Sequence, residues 1–221
     1  MKIQIYTMQS PEEALAAARL GVDHIGITPS SIGLPGEVSF AAANEIATAV
    51  RDLATSVALT VENDLDAIVS MVQAVHPDIL HLCALEGALP PAEVKKLRTR
   101  LPGLPIMQAV SVGGEDAIAT ALAYQAVCDY LILDTQAPDI AGIGASGMVH
   151  DWNISRQLVQ QVDIPVILAG GLSPDNVAEA IRVVRPWAVD SLTHTNHPLP
   201  GGGFRKDLQR IEKFVAAARP A

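Results

Sequence analysis

Several residues suited to acid–base chemistry lie within or at the ends of short apolar segments of this 221-residue chain. Asp134 closes the segment "YLILD", and a carboxyl at the end of a buried strand is partly desolvated, which raises its pKa toward the range of a general acid. His81 lies in "DILHLC", and an imidazole exchanges protons near neutral pH. Asp134 is therefore a candidate catalytic acid and His81 a candidate base. The structural alternatives are a loop-capping aspartate and a core histidine with its hydrogen bonds satisfied.

The segment "ILAGGLSPDN" (167–176) ends an apolar run with two adjacent glycines and then a helix-start pattern. Gly170 and Gly171 leave backbone N–H groups uncovered by side chains. Ser173 and Pro174 predict the start of a helix whose N-terminus carries partial positive charge. Together they predict a phosphate site that needs no lysine or arginine. The structural alternative is a tight turn between a strand and a helix.

A metal site and a nucleotide site are the weaker interpretations. Five side chains offer the nitrogen, sulfur and oxygen atoms that bind metals: Glu62, His81, Cys83, His194 and His197. Their spacing matches no recognised signature. Gly142, Gly144 and Gly147 suggest a mobile loop over the site, but they lack the strand–GxGxxG–helix context of a dinucleotide site. We therefore expect no metal and no cofactor.

Short β-rich apolar segments alternate with Ala-rich amphipathic segments along the whole chain. The predicted strands cover residues 2–7, 24–28, 56–61, 78–83, 105–110, 130–134, 165–170 and 187–192. The predicted helices cover residues 11–20, 38–52, 63–75, 91–100, 114–126, 153–162, 174–184 and 205–218. This alternation predicts an α/β fold, a single (β/α)₈ TIM barrel over residues 1–221, with an open doubly wound sheet as the alternative.

The longest irregular stretches, 28–38, 135–152 and 193–204, each follow a predicted strand. They therefore belong to the carboxyl-terminal face of the barrel, where this architecture places its active sites.

The composition argues against several classes of function. The chain has 15 Lys and Arg against 24 Asp and Glu, a net charge of −9, and no basic run. We expect no nucleic-acid partner, because phosphate backbones require basic surfaces. No uninterrupted apolar stretch reaches about 18 residues, so we expect no membrane span. Cys83 and Cys128 lie in apolar runs and fit a reducing compartment, which predicts a cytoplasmic protein.

The segment "PVILAGGLSPDNVAEAI" resembles the strand-seven signature of the phosphoribosylanthranilate isomerases, the (β/α)₈ enzymes of tryptophan biosynthesis. "GVDHIGI" is similar to the family's second strand, "YLILDT" with "GIGASGMVHDW" to its strand-six aspartate and glycine-rich loop, and "VDSLT" with "GGGFRKDLQRIEKFV" to its last strand and helix. The resemblance implies an Amadori rearrangement with Asp134 as the acid that protonates the ribose ring oxygen. It also implies a phosphate between the loops after strands seven and eight, near Gly170, Gly171, Thr193 and His194.

Several positions depart from the family's pattern. Tyr6 stands where the family's strand one carries the cysteine that removes the C2 proton, and a phenol with a pKa near 10 is a poor base at neutral pH. We assign Tyr6 a hydrogen-bonding or orienting role in catalysis, which leaves His81 as the leading substitute base. Gly36 stands near the family's anthranilate-contacting arginine. Gln108, in "PIMQAV", is a candidate substrate-binding residue, because alternate strand residues share a face.

These observations predict an isomerase of the phosphoribosylanthranilate isomerase type that acts on a small phosphorylated sugar-like substrate. We expect general acid–base chemistry and a monomer or homodimer. The alternatives are an epimerase, aldolase or decarboxylase of another sugar phosphate, or a non-catalytic barrel that binds a phosphate ligand. A Schiff-base aldolase is disfavoured, because the predicted strands carry no lysine at an end except Lys2, at the start of the first strand.

Overall fold

A computed structural model describes residues 1–113, 116–135, 142–143 and 149–220 of the chain. Eight parallel strands pair in chain order, and the eighth pairs with the first to close a barrel. The strands are β1 Lys2–Ile5, β2 His24–Ile27, β3 Thr55–Thr60, β4 Ile79–Leu82, β5 Ile106–Ser111, β6 Tyr130–Asp134, β7 Val166–Leu168 and β8 Ala188–Ser191. The (β/α)₈ prediction is confirmed, and closure of the sheet excludes the open doubly wound alternative.

One helix follows each strand of the barrel. The helices are α1 Pro11–Arg19, α2 Phe40–Val50, α3 Leu65–Val75, α4 Pro91–Arg100, α5 Ala117–Gln125, α6 Trp152–Gln161, α7 Val177–Val184 and α8 Leu208–Ala218. In the described part of the chain, none is both long and apolar enough to cross a membrane.

Side chains alternate along each strand between the barrel interior and the layer beneath the helices. On β4, Ile79 and the following Cys83 belong to the interior cluster, whereas Leu80 and Leu82 pack in the outer cluster. His81 has the interior parity. The upper interior layer therefore carries the side chains that face the mouth of the barrel.

The ring of Tyr6, which directly follows β1, fills part of this upper layer and is 4 % exposed. The neighbouring strand β2 makes room for it with Gly26, where an added Cβ would lie only 2.2 Å from Cδ1 of the ring. A tyrosine at position 6 therefore depends on a glycine at position 26.

The two predicted helix starts with a Ser-Pro pattern have different outcomes. At α1 the prediction is confirmed, because the Ser10 side chain accepts a hydrogen bond from the Glu13 N–H at 3.3 Å. At α7 it is wrong, because the helix begins at Val177 rather than Pro174. Instead, the side chain of Asn176 forms two hydrogen bonds to the backbone of the preceding turn. Its Oδ1 accepts from the Ser173 N–H at 2.8 Å, and its Nδ2 donates to the Gly171 carbonyl at 3.0 Å.

The segment after β8 is more ordered than its prediction as an irregular stretch. It forms a 3₁₀ helix, Thr193–Thr195, and an antiparallel hairpin of β9 Asn196–Pro198 and β10 Phe204–Lys206. The last helix therefore starts at Leu208 rather than at residue 205. The Lys206 ammonium donates to the Tyr6 carbonyl and to Asn196 Oδ1, which ties the hairpin to the end of β1.

Candidate active site

Two cavities open side by side at the carboxyl-terminal face of the barrel. The larger, which we call the apolar pocket, encloses about 580 Å³ and is lined by Tyr6, Thr7, Thr28, Leu34, Pro35, Leu59, Val61, His81, Cys83, Ile132, Asp134, Ile143, Asp190 and Leu192. The smaller, which we call the loop pocket, encloses about 270 Å³ and is lined by Asp134, Gly170, Gly171, Leu172, Asp190, Ser191, Leu192, Thr193 and His194. Asp134, Asp190 and Leu192 line both pockets and mark their junction.

The two carboxyls at the junction come from β6 and β8. Burial raises the pKa of Asp134 to about 7, although the Thr135 N–H, which donates to its Oδ1 at 2.7 Å, acts in the opposite direction. Burial and the neighbouring Asp134 charge raise the pKa of Asp190 to about 8. Two carboxyls that disfavour each other's ionisation retain a proton near neutral pH. The junction can therefore both donate and accept a proton.

Tyr6 and His81 form a hydrogen-bonded pair on the wall of the apolar pocket. The Tyr6 hydroxyl oxygen lies 2.8 Å from His81 Nδ1. Burial raises the pKa of Tyr6 well above 10, with further contributions from Asp190 and Cys83, and burial lowers the pKa of His81 to about 3. Both side chains are therefore uncharged near neutral pH. An imidazole with this pKa takes up a proton less readily than an ionised Asp190.

Cys83 holds a short segment over the apolar pocket. Its thiol donates to the Ile143 carbonyl at 2.7 Å, and the Ile143 N–H donates to the Cys83 carbonyl at 3.1 Å. Burial raises the pKa of Cys83 to about 12, so the group stays a thiol. Gly142 packs closely here, because an added Cβ would lie 2.3 Å from the Cys83 carbonyl oxygen. Gly144 and Gly147 of the predicted mobile loop lie outside the described residues.

Backbone conformation favours glycine at both positions of the adjacent pair in the loop pocket, and at Gly170 a close contact also excludes a side chain. Gly170 and Gly171 have φ angles of +81° and +64°, in the left-handed region that glycine tolerates best. At Gly170 an added Cβ would also lie 2.6 Å from His150 Nδ1. The His150 ring is held there by Ser155, whose Oγ lies 2.7 Å from Nε2. The loop therefore presents backbone to the pocket, and the pocket also contains Thr193 and His194 as predicted from the sequence.

Gln108 does not join the other predicted site residues. On β5 the interior cluster takes Met107 and Ala109, so Gln108 lies on the opposite face of the strand. Its Nε2 donates to the Ala109 carbonyl at 2.9 Å, and it lines a separate cavity beneath the loop after β4. The prediction that alternate residues of the strand share a face is correct, but the prediction that Gln108 faces the barrel interior is wrong.

Sequence reasoning did not single out Asp190, Thr7 or Thr28. A signal for Asp190 was present, because "WAVDSL" carries an ionisable residue inside an apolar strand. The hydroxyls of Thr7 and Thr28 line the apolar pocket, and neither has a hydrogen-bond partner among the described residues. No pattern in the sequence distinguishes these threonines from others.

The metal interpretation finds no support in the geometry. Within the ranges that the structure describes, no three His, Cys, Asp or Glu side chains are grouped so as to hold a metal ion. His194 lies in the 3₁₀ helix and His197 on β9, whereas His81 and Cys83 lie inside the barrel.

Comparison with known proteins matches this chain over nearly its whole length. The family model of N-(5'-phosphoribosyl)anthranilate (PRA) isomerase matches residues 3–216. The N-(5'-phosphoribosyl)anthranilate isomerase of Methanocella arvoryzae is 33% identical over 218 residues, which cover 99% of this chain and 98% of that protein.

Two solved structures show the same barrel. The phosphoribosyl anthranilate isomerase from Thermotoga maritima superposes with a TM-score of 0.80 at 25% identity, covering 100% of both chains. A phosphoribosyl anthranilate isomerase in complex with reduced 1-(o-carboxyphenylamino)-1-deoxyribulose 5-phosphate superposes with a TM-score of 0.79, also at 25% identity and 100% coverage of both. Because the family match spans every strand from β1 to β8, this chain belongs to the phosphoribosylanthranilate isomerase family.

Proposed function

We propose that this isomerase converts a 5-phosphoribosyl arylamine into the corresponding 1-arylamino-1-deoxyribulose 5-phosphate by an Amadori rearrangement. The observation that carries the proposal is the carboxyl pair, Asp134 and Asp190, at the junction of the loop pocket and the apolar pocket. In the proposed complex the phosphate occupies the loop pocket and the aryl group occupies the apolar pocket. This arrangement brings the sugar carbons C1 and C2 to the carboxyls. The proposal agrees with the name of the curated relatives, N-(5'-phosphoribosyl)anthranilate isomerase, and with the deoxyribulose 5-phosphate bound in the solved structure. Epimerase, aldolase, decarboxylase and non-catalytic alternatives are not favoured.

Asp134 is the proposed general acid. Its raised pKa, about 7, keeps a large fraction of the carboxyl protonated at neutral pH. It gives its proton to the ribose ring oxygen as the bond from that oxygen to C1 breaks, which leaves an iminium at C1. Desolvation, the largest cause of the raised pKa, therefore prepares the group for this step.

Asp190 is the proposed base for the C2 proton. The electrons of the C2–H bond form the C1–C2 double bond and neutralise the iminium nitrogen, which gives an enaminol. Loss of the enol O–H proton and protonation at C1 then yield the ketone. A carboxylate whose conjugate acid has a pKa of about 8 is a stronger base than the His81 imidazole, with a pKa of about 3. Because Asp190 has the higher pKa of the two carboxyls, the productive form, with Asp134 protonated and Asp190 ionised, is the less populated of the two singly protonated forms.

Tyr6 and His81 are proposed to act together in the same step. The phenol stays protonated and can hydrogen-bond a substrate hydroxyl, and the 2.8 Å contact with His81 Nδ1 fixes its direction. The sequence-based prediction of His81 as the base remains a competing assignment. It is tested by His81→Gln alongside Asp190→Asn, because only loss of the base abolishes exchange of the C2 proton with solvent.

Phosphate binding is proposed for the loop pocket, through the backbone N–H groups at Gly170 and Gly171 together with Thr193 and His194. The positive φ angles of the two glycines support this, since a side chain there would be strained and would cover the backbone. The pocket is small, and Asp134 and Asp190 line it as well, so phosphate binding there depends on the backbone N–H groups, Thr193 and His194. α7 begins further along the chain than the sequence predicts.

The decisive experiment measures turnover of a phosphoribosyl arylamine generated in situ, followed by loss of the anomeric proton signal in NMR spectra. We expect Asp134→Asn to lower kcat by about 10²–10⁴-fold, the usual contribution of general acid catalysis. The circular dichroism spectrum should not change. Asp163→Asn, at an exposed carboxyl, is the matched control and should retain full activity. Full activity of Asp134→Asn would refute the assignment.

We further propose a cytoplasmic location. The two buried free thiols, Cys83 and Cys128, support a reducing compartment. A monomer or a homodimer is proposed as the working form, and sedimentation equilibrium of the purified chain distinguishes the two.

A further inference from the structure

We propose that the aryl group entering the apolar pocket is uncharged, so that the substrate is the phosphoribosyl derivative of a neutral aromatic amine rather than of an aminobenzoate. This inference rests on the proposed isomerase function and specifies its substrate. Anthranilate is 2-aminobenzoate, and its carboxylate would have to be accommodated in this pocket. The groups that could receive this negative charge therefore decide whether anthranilate fits.

The apolar pocket offers no positive charge. Its described lining contains neither lysine nor arginine, and its two acidic groups are Asp134 and Asp190. The stretches 136–141 and 144–148, which lie outside the described part of the chain, contain no lysine or arginine in the sequence either. A buried carboxylate without a cation is strongly disfavoured, and an ionised Asp134 or Asp190 would repel it.

The loop after β2 cannot supply a cation from position 36. Gly36 has a φ of +66°, and an added Cβ would lie 2.5 Å from Thr7 Oγ1 and 2.6 Å from Cζ of Phe204. Phe204 is held in place by its hairpin, with its carbonyl accepting from Gln9 Nε2 at 2.8 Å. Any side chain at position 36 would therefore displace two neighbours before it reached the pocket.

Lys206 is the one buried cation among the described residues, and it is committed elsewhere. Its ammonium donates to the Tyr6 carbonyl and to Asn196 Oδ1, and it lies 5.4 Å from the centroid of the Phe204 ring. It is not part of the pocket lining. Burial lowers the pKa of Lys206 to about 7, and the charge that remains acts on Asp190 and on the hydrogen bonds that join β1 to the hairpin.

The polar atoms of the apolar pocket that lack a hydrogen-bond partner among the described residues are one oxygen of Asp190 and three atoms of uncharged side chains. Thr7 Oγ1, Thr28 Oγ1 and His81 Nε2 are buried and have no hydrogen-bond partner among the described residues, and all three side chains line the pocket. Buried polar groups of this kind are normally hydrogen-bonded. A hydroxyl group can both donate and accept, and Nε2 of the neutral His81 imidazole does one or the other according to its tautomer, which matches a carboxamide or a hydroxyl on the ring.

A pair of stable ligands that differ in one group tests the inference. They are reduced 1-(o-carboxyphenylamino)-1-deoxyribulose 5-phosphate and its o-carbamoyl counterpart, which has nearly the same shape and no charge. By isothermal titration calorimetry we expect the carbamoyl ligand to bind the full chain at least tenfold more tightly. Equal binding, or tighter binding of the carboxy ligand, would overturn the inference and leave the proposed function standing.

The same titrations separate this inference from the function on which it rests. If neither ligand binds, the proposed function fails and the substrate assignment fails with it. Leu34→Arg, at the half-buried rim of the pocket, adds the missing cation, and Leu34→Gln is its uncharged control. We expect Leu34→Arg alone to tighten binding of the carboxy ligand, by about tenfold, with no gain for the carbamoyl ligand. A gain for both ligands, or for neither, counts against the proposal.

Discussion

The loop pocket and the apolar pocket meet at the same two carboxyls but are built from different parts of the chain. The loop pocket is bounded on one side by two glycines whose φ angles are positive, and elsewhere mainly by residues at and after the ends of β6 and β8. The apolar pocket is bounded mainly by side chains that project inward from β1, β2, β3 and β4 or from the residues directly after them. A site made of backbone tolerates many sequence changes as long as its glycines remain. A site made of side chains changes its ligand when a few residues change.

This difference explains why the family resemblance is strong at one end of the site and weak at the other. The segment with Gly170 and Gly171 keeps the family's signature, whereas Tyr6 and Gly36 depart from it. If the loop pocket holds the phosphate and the apolar pocket holds the aryl group, as proposed, the phosphate end is shared with relatives and the aryl end distinguishes this member. The following variants test that division, in order of decreasing effect.

Changes at the junction should lower turnover more than binding to either pocket, because we propose that its carboxyls carry out the proton transfers. We expect Asp190→Asn to lower kcat by about 10²–10⁴-fold. Binding of the reduced carbamoyl ligand should change by less than about threefold, as measured by calorimetry. A large loss of affinity without a loss of kcat would show that Asp190 binds the substrate and does not act as the base.

The pH profile of the unmodified enzyme gives an independent check on the junction. An acid and a base are both needed, and the pKa values are about 7 for Asp134 and about 8 for Asp190. As the pH falls below 7 both carboxyls become protonated and the base is lost. As the pH rises above 8 both ionise and the acid is lost. We therefore expect a narrow bell in kcat/KM between these values.

The loop pocket should respond to charge placed on its backbone. Gly171→Asp brings a carboxylate to the proposed phosphate site, and Gly171→Asn has the same size and backbone requirement without the charge. We expect the reduced carbamoyl ligand to bind about 100-fold more weakly to the aspartate variant than to the asparagine variant. Equal affinities would show that the phosphate does not bind in the loop pocket, and the assignment of one substrate group to each pocket would be wrong.

The packing of Tyr6 against Gly26, beside the apolar pocket, should affect the stability of the fold. Gly26→Ala places a methyl group 2.2 Å from the Tyr6 ring and should destabilise the fold by about 1–3 kcal/mol in urea unfolding, as overpacking does. Gly113→Ala, where an added Cβ meets nothing within 4 Å, is the control and should change stability by less than about 0.5 kcal/mol. In a Tyr6→Cys background the penalty of Gly26→Ala should largely disappear.

The smallest expected effect is the dependence of stability on pH. The folded-state pKa values of Asp134 and Asp190 lie above the unfolded value of about 3.9. Their contribution to stability is therefore full below about pH 4 and is lost as the pH rises toward 8. Asp190→Asn cannot ionise, so its melting temperature should exceed that of the parent at pH 8.5 by a few degrees, and by less at pH 5. A constant difference at all pH values would contradict the burial of this carboxyl.

The barrel was predictable from sequence because the alternation of apolar strands and amphipathic helices repeats eight times. The same pattern could not place Gln108, because strands covered on both faces carry apolar residues at both parities and leave the inward phase undefined. Asp190 was missed for a related reason. Its partner Asp134 is 56 positions earlier in the chain, and the two carboxyls meet because β6 and β8 lie on either side of β7 in the curved sheet. The hairpin after β8 was missed because its strands are three residues long and one contains Pro198.

The contact between Tyr6 and Gly26 also limits the order in which this site can change. Because a side chain at position 26 collides with the ring, a tyrosine at position 6 is tolerated only in a chain that already has glycine on the neighbouring strand. The reverse replacement of Tyr6 by a small residue leaves two small positions facing each other below the apolar pocket. The apolar pocket would then extend into the space that the phenol ring of Tyr6 now occupies. Position 6 therefore sets how deep a ligand can reach, in addition to any part it plays in proton transfer.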